Sequence, residues 1–122
     1  MEIKKILKES SDFKVVGKLW IYGHKERFFG PGRIELLENI ATTGSINKAA
    51  KAMNMSYKKA WEMVNSLNSQ AIKPLVITQT GGKEGGGAEI TAEAIYLISV
   101  FKAMHERFQA FLQAETQQIS GH

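Results

Sequence analysis

The stretch from Ser45 to Ala71, SINKAAKAMNMSYKKAWEMVNSLNSQA, decides how the rest of this 122-residue chain is read. It describes two helices joined by a turn too tight for an ordinary loop. Ser45 is a strong N-cap, since its hydroxyl can accept from an orphan amide of the first turn. Ile46, Ala49, Ala50 and Met53 then recur at helical spacing on one face. Ser56 starts the pattern again, and Ala60, Met63, Val64 and Leu67 form the second buried face. Asn54 falls where the turn needs a left-handed residue, a region asparagine visits readily. Ala50 and Ala60 are small where two steeply crossing helices would leave no room for more. This is the arrangement of a DNA-binding helix-turn-helix, although any compact helical hairpin shares its spacing.

Charge separates those two readings. Between Ser45 and Lys83 lie Lys48, Lys51, Lys58, Lys59, Lys73 and Lys83 against the single Glu62, a net +5. The whole chain carries +4, so everything outside this stretch sums to −1. A solvated face usually mixes both signs; this one is positive, as an anionic partner requires.

Outward from the motif, each flanking segment has a reading. Residues 1–12 predict a loosely attached extension or a short amphipathic helix through Ile3, Ile6 and Leu7. KVVGKLWIY, Lys14 to Tyr22, is β-branched and aromatic and predicts a strand; Gly23 to Arg27 is a polar turn, and Phe28-Phe29 a short return strand. Pro31 suits the first position of a helix, where its missing amide costs nothing. That helix is expected from Pro31 to Thr43, with Ile34, Leu37, Ile40 and Ala41 inward, Leu36 at one edge, Glu35 and Glu38 outward, and Gly44 closing it.

After the motif, Pro74 ends the helical region. Leu75 to Thr80 predicts a strand and Ala88 to Ile90 a short partner. Between them Gly81, Gly82, Gly85, Gly86 and Gly87 surround Lys83 and Glu84, a hairpin tip suited to positive φ and close approach to another surface. Thr91 caps a last helix, from about Ala92 to Ala114. Ala94, Ile98, Phe101, His105, Phe108 and Leu112 follow one heptad track, with Leu97, Met104 and Phe111 beside it. That stripe is wide enough to serve both a core and a second subunit, or a single broad core face. Leu97, Phe101, Met104, Phe108, Phe111 and Leu112 are the dimerisation candidates.

Composition excludes several classes. Without cysteine there is no disulfide framework, thiolate metal site or thiol nucleophile. The opening MEIKKILKES has no apolar run, so no secretory leader is expected, and the longest nearly apolar run, Ala94 to Phe101, is far too short to span a bilayer. The expected location is the cytoplasm. Lys83 is followed by Glu84 and a strand rather than by Ser or Thr and a helix, so the glycine loop is not a nucleotide-binding loop. His24, His105 and His122 are scattered, Asp12 is the lone aspartate, and no glutamate pair suggests acid–base work. No cofactor, metal site or enzyme activity is expected.

Helix, helix-turn-helix, strand, glycine-rich wing, strand and final helix make an α+β, mostly α fold: a winged helix-turn-helix with an N-terminal strand or hairpin and a long C-terminal helix. Residues 1–122 are read as a single domain, with a three-helix core over 31–71, the motif over 46–71, the wing over 75–90 and the last helix over 92–115. The stretch GPGRIELLENIATTGSINKAAKAMNMSYKKAWEMVNSLN, followed by TGGKEGGGAEIT, resembles the N-terminal DNA-binding domain of the molybdate-responsive ModE regulators, itself similar to the LysR-type winged helix. The resemblance covers about residues 30–112, and its most specific pieces are Ser56 to Trp61 and Thr80 to Ala88. It implies a dimeric transcriptional regulator on a palindromic operator, its second motif helix in the major groove and its wing on flanking backbone. Carried over by position, Ser56, Tyr57, Lys58, Lys59, Trp61, Glu62 and Asn65 face DNA and Lys83 with its glycines forms the wing; Ser45 and Lys48, at the start of the preceding helix, are further DNA-contact candidates. Tyr57 is the better base-contact candidate, because Trp61 could equally wedge against the first core helix. Members of the family continue into oxyanion-binding domains that this sequence does not contain, so molybdate is not expected to bind this chain. The alternative is a winged-helix module that binds protein instead of DNA.

Overall fold

A computed structural model describes residues 1–8, 12–79 and 86–120. Their contacts divide into two units, Trp20–Val100 and Met1–Leu19 with Phe101–His122. The elements are β1 (Ile21–Tyr22), β2 (Arg27–Phe29), α1 (Pro31–Thr43), α2 (Ile46–Ala52), α3 (Tyr57–Gln70), β3 (Val76–Thr78), β4 (Ala88–Ile90) and α4 (Ala92–Ser120). This is the mostly α, α+β winged helix-turn-helix arrangement expected from the sequence.

In the first unit α1 packs on α2 and α2 on α3, around Leu36, Leu37, Ile40, Ile46, Ala49, Ala50, Ala60, Val64 and Leu67, all buried. Helix α1 differs from expectation by a roll about its axis. Leu36, placed at the edge, is fully buried, whereas Ala41, placed inside, is exposed. Burying a leucine is worth about 1.5–3 kcal/mol, while alanine has only a methyl to hide, so the helix turns toward the leucine. Met63 is likewise only half-buried, leaving Ala60, Val64 and Leu67 as the α3 core.

Helix ends follow the local chemistry. Pro31 opens α1, and Gly44, at φ 71°, closes it with its N–H donating to the Ile40 carbonyl (2.8 Å). The Thr91 hydroxyl accepts from the Ala94 N–H (3.2 Å) and donates to the Pro74 carbonyl (2.9 Å), fixing where α4 begins. That helix runs to Ser120, beyond the expected end at Ala114, because Glu115 to Ser120 contains no glycine or proline to stop it.

Two antiparallel hairpins complete this unit. β1 pairs with β2 across a turn in which Gly23 N–H donates to the Glu26 carbonyl (2.7 Å), and β3 pairs with β4 in the register Val76 to Ile90, Ile77 to Glu89 and Thr78 to Ala88. The wing strand is therefore Val76–Thr78 rather than the full Leu75 to Thr80; Leu75 is buried just before it and Thr80 lies outside the described residues. The strand expected from Lys14 to Tyr22 survives in ladder form only at Ile21–Tyr22. Its physical cause is the lack of a partner: among the described residues, no strand pairs with 14–20.

The second unit holds the N-terminal segment and the C-terminal part of α4. Ile3–Lys5 form one 3₁₀ turn rather than a helix, with Ile3 and Ile6 exposed. Residues 13–19 lie against α4 instead of in a sheet: Val15 N–H donates to Thr116 Oγ1 (2.8 Å), and a Cβ on Gly17 would come within 2.9 Å of the Phe108 ring.

Candidate nucleic-acid interface

The interface begins with two caps and a turn. Ser45 Oγ accepts from the Lys48 N–H (3.1 Å) and Ser56 Oγ from the Lys59 N–H (3.0 Å), as their sequence positions predict. Each such cap stabilises its helix by about 1 kcal/mol. Between them the Met53 and Met55 amides both donate back to the Ala50 carbonyl (3.2 and 3.0 Å), while Asn54 takes φ 55°. Asn54 is the one non-glycine residue with positive φ among the described residues, at the site where the sequence called for it. Ala50 and Ala60 are at 1% and 0% exposure, so a larger side chain at either site would have to be accommodated inside the packed helices.

This packing turns one face of α3 outward. Tyr57, Lys58, Lys59, Glu62 and Asn65 are exposed, as is the cap residue Ser56. Positions 57, 58, 61, 62 and 65 fall on one side of a helix, so they form a single surface at its positive N-terminal end. Trp61 is half-buried and meets Tyr57 edge-to-face, ring centroids 6.1 Å apart at 86°. It braces Tyr57 through the i, i+4 contact, an arrangement the sequence reading did not weigh for it. Lys48 and Lys51 are exposed on α2, and Ser45 is half-covered at its cap.

Opposite this face stands the wing. Lys48, Lys51, Tyr57 and Trp61 on the helices, with Gln79 and Gly87 on the hairpin, line an open groove of about 560 Å³. The base of the hairpin is tied down: Ala88 N–H donates to the Gly44 carbonyl (2.8 Å), and Gln79 N–H to the Gly87 carbonyl (2.8 Å). Gly86 has φ 87°, which a residue with a Cβ rarely adopts. Lys83 and Gly81, Gly82 and Gly85, the rest of the expected wing tip, lie outside the described residues.

Two polar clamps that the sequence reading missed hold α3 in place. Asn68 Oδ1 accepts from the Leu75 and Val76 N–H groups (2.8 and 3.1 Å), and its Nδ2 donates to the Val76 carbonyl (3.0 Å). That amide therefore joins α3 directly to the start of β3. Arg33 Nη1 donates to the Phe28 carbonyl and to Ser66 Oγ (2.9 Å each), linking α1, β2 and α3. Burial lowers the Arg33 pKa from its usual value, with Glu26 opposing the shift, yet the guanidinium stays charged. Gln70 Nε2 adds a bond to the Arg27 carbonyl (3.1 Å), and the Arg27 guanidinium lies over the Trp20 ring at 4.4 Å. The one available signal was a polar residue near the inner edge of a helix, which periodicity treats as surface.

The dimerisation candidates divide. Phe101 and Leu112 are buried within the chain, Leu97, Met104 and Phe108 are half-buried, and Phe111 is 55% exposed. Among the described residues no group of three or more His, Asp or Glu side chains could hold a metal ion, and no helix is long and apolar enough to cross a membrane.

With a capped helix pair, a left-handed turn and a wing in position, the match to known proteins is specific. The family pattern of bacterial regulatory helix-turn-helix proteins, lysR family, covers residues 32–94. The chain belongs to that family. The resemblance to ModE regulators also holds: the Molybdenum transport protein ModE of Herbaspirillum seropedicae is 39% identical over 106 residues, 87% of this chain and 36% of that protein. That of Azotobacter vinelandii is 36% identical over 88 residues, 72% of this chain and 33% of that protein. The DNA-binding transcriptional dual regulator ModE of Escherichia coli (strain K12) is 45% identical over 74 residues, 61% of this chain and 28% of that protein. This lysR-family chain thus spans about a third of the length of those relatives. The crystal structure of ArgP from Mycobacterium tuberculosis aligns at a TM-score of 0.47 and 18% identity over 71% of this chain and 30% of that one.

Proposed function

We propose that this chain is a ModE-like transcriptional regulator that binds double-stranded DNA in a sequence-specific way. The observation that carries the reading is the exposed face of α3, with Tyr57, Lys58, Lys59, Glu62 and Asn65 set across a lysine-lined groove from the wing. An α-helix fills the major groove of B-DNA, where each base pair offers a distinct set of donors, acceptors and methyl groups. Tyr57, Lys58 and Asn65 read base edges there, and Trp61 holds the Tyr57 ring in place. Ser45, Lys48, Ser56, Lys59 and the wing's Lys83 contact phosphates and set the register. The protein acts in the cytoplasm as a homodimer through α4, with Phe111 at the surface of the contact, and its operator is a palindrome with half-sites one helical turn or a multiple apart. The test is selection of bound duplexes from a random pool with the purified protein. A recurring palindromic site supports the proposal; recovery of no preferred sequence at any salt concentration overturns it.

A further inference from the structure

The segment from Asp12 to Leu19 has the pattern of a strand without a ladder. Phe13, Val15 and Leu19 are half-buried, whereas Asp12, Lys14, Val16 and Lys18 are exposed, Val16 at 78%. A Cβ placed on Gly17 would lie 2.9 Å from Phe108 Cζ and 3.8 Å from Leu112 Cδ2. Val15 and Gly17 therefore meet α4, while Lys14, Val16 and Lys18 are the exposed positions alternating with them and Lys14 and Val16 border the open groove beside Gln109 and Gln113, the period of two that marks an extended chain. The same alternation governs the backbone, whose successive N–H and C=O groups point to opposite edges. The odd edge is engaged, since Val15 N–H donates to Thr116 Oγ1. Among the described residues, the backbone of Lys14, Val16 and Lys18 makes no hydrogen bond, and neither lysine side chain has an ion-pair partner. An unpaired strand edge is a template for another strand.

We infer that this edge pairs antiparallel with the same edge of a second copy, in the register that sets Asp12 opposite Lys18 and Lys14 opposite Val16. The inference rests on the dimeric reading above and names the contact that completes it. Lysine on a free edge ordinarily discourages pairing, so the register has to resolve the charges. A register with Lys14 opposite its own copy sets like charges face to face. One with Val16 opposite its own copy sets Lys14 against Lys18 twice. The register between them pairs all four outward positions with one another. It makes two Asp12–Lys18 contacts and lays the Lys14 alkyl stem over Val16. The two-fold axis then passes at Val15, and the even positions become the hydrogen-bonded pairs of the ladder.

The chain has no cysteine, so single cysteines placed on exposed positions report the register directly. Lys14→Cys protein mixed with Val16→Cys protein is expected to form a disulfide-linked dimer under mild oxidation about tenfold faster than either alone, as hydrogen-bonded pairs lie within disulfide reach and diagonal ones do not. Asp12→Lys should weaken the dimer about three- to tenfold by sedimentation, and adding Lys18→Asp should restore it. A dimer that forms without preferential cross-linking in the mixture, and ignores the charge exchange, overturns the strand pairing while leaving dimerisation through α4 standing. A monomer at micromolar concentration overturns both.

Discussion

Replacing Asn68 by alanine tests whether α3 and the wing are one rigid unit. The Asn68 amide makes three hydrogen bonds, accepting from the Leu75 and Val76 amides and donating to the Val76 carbonyl. Each is worth about 0.5–1.5 kcal/mol net, and alanine leaves three backbone groups without their partner. Because the site is half-buried, water can reclaim part of the loss, which sets the expected cost at about 2–3 kcal/mol. For a chain of this size that lowers the melting temperature by about 10 °C. Asn68→Asp keeps the acceptor for both amides and loses the donor to Val76, so it should cost only about 1 kcal/mol. Thermal and urea melts followed by circular dichroism give both values. The freed β3 should also weaken DNA binding measured well below the melting transition, because the wing no longer has a fixed distance from α3. An Asn68→Ala melting temperature within about 2 °C of the parent, or an Asn68→Asp variant as damaged as Asn68→Ala, would refute the clamp.

Ala60→Leu should destabilise the domain by about 1–3 kcal/mol, since at a fully buried alanine the added atoms have to be fitted into the packed core; an unchanged melting temperature contradicts this. Ser45→Ala should cost about 1 kcal/mol through loss of the Lys48 cap while Ser45→Asp retains it, a ranking that thermal melts can reverse. Tyr57→Ala and Lys58→Ala should each cost about 1–3 kcal/mol on the selected operator and much less on scrambled duplex. Lys83→Ala should weaken both duplexes alike and flatten the salt slope by about one; loss of operator preference in this variant alone would mean that reader and anchor have been exchanged.

What was legible in the sequence is what depends on neighbouring residues. The serine caps, Gly44, Asn54 and Pro31 each act within four residues of their partners, so local chemistry places them. The rotation of α1 was not legible, because Leu36 and Ala41 both border the apolar stripe and only the packed volume chooses between them. The β-branched and aromatic content of 14–22 produced a ladder only at Ile21–Tyr22, because a ladder depends on a second strand that the segment itself cannot specify. Asn68, Arg33 and Gln70 escaped for a related reason: Gln70 meets Arg27 across 43 positions, and polar side chains on a helix look alike until their distant partners are known. The candidate interface follows the same division. Its location is readable from caps, small residues and lysines, whereas the brace of Trp61 on Tyr57 becomes visible only with the helix built.

The most direct test of the DNA-binding account is a salt titration of affinity on a selected duplex and on a scrambled one. Each phosphate neutralised by a lysine contributes a slope of roughly −0.9 in log affinity against log salt. If half of Lys48, Lys51, Lys58, Lys59, Lys73 and Lys83 make such contacts, the slope per protomer should be about −2.7 on either duplex. That steep slope is expected on both, with the selected duplex bound more tightly at every salt concentration. A flat slope, or equal affinity for the two duplexes throughout, would contradict it.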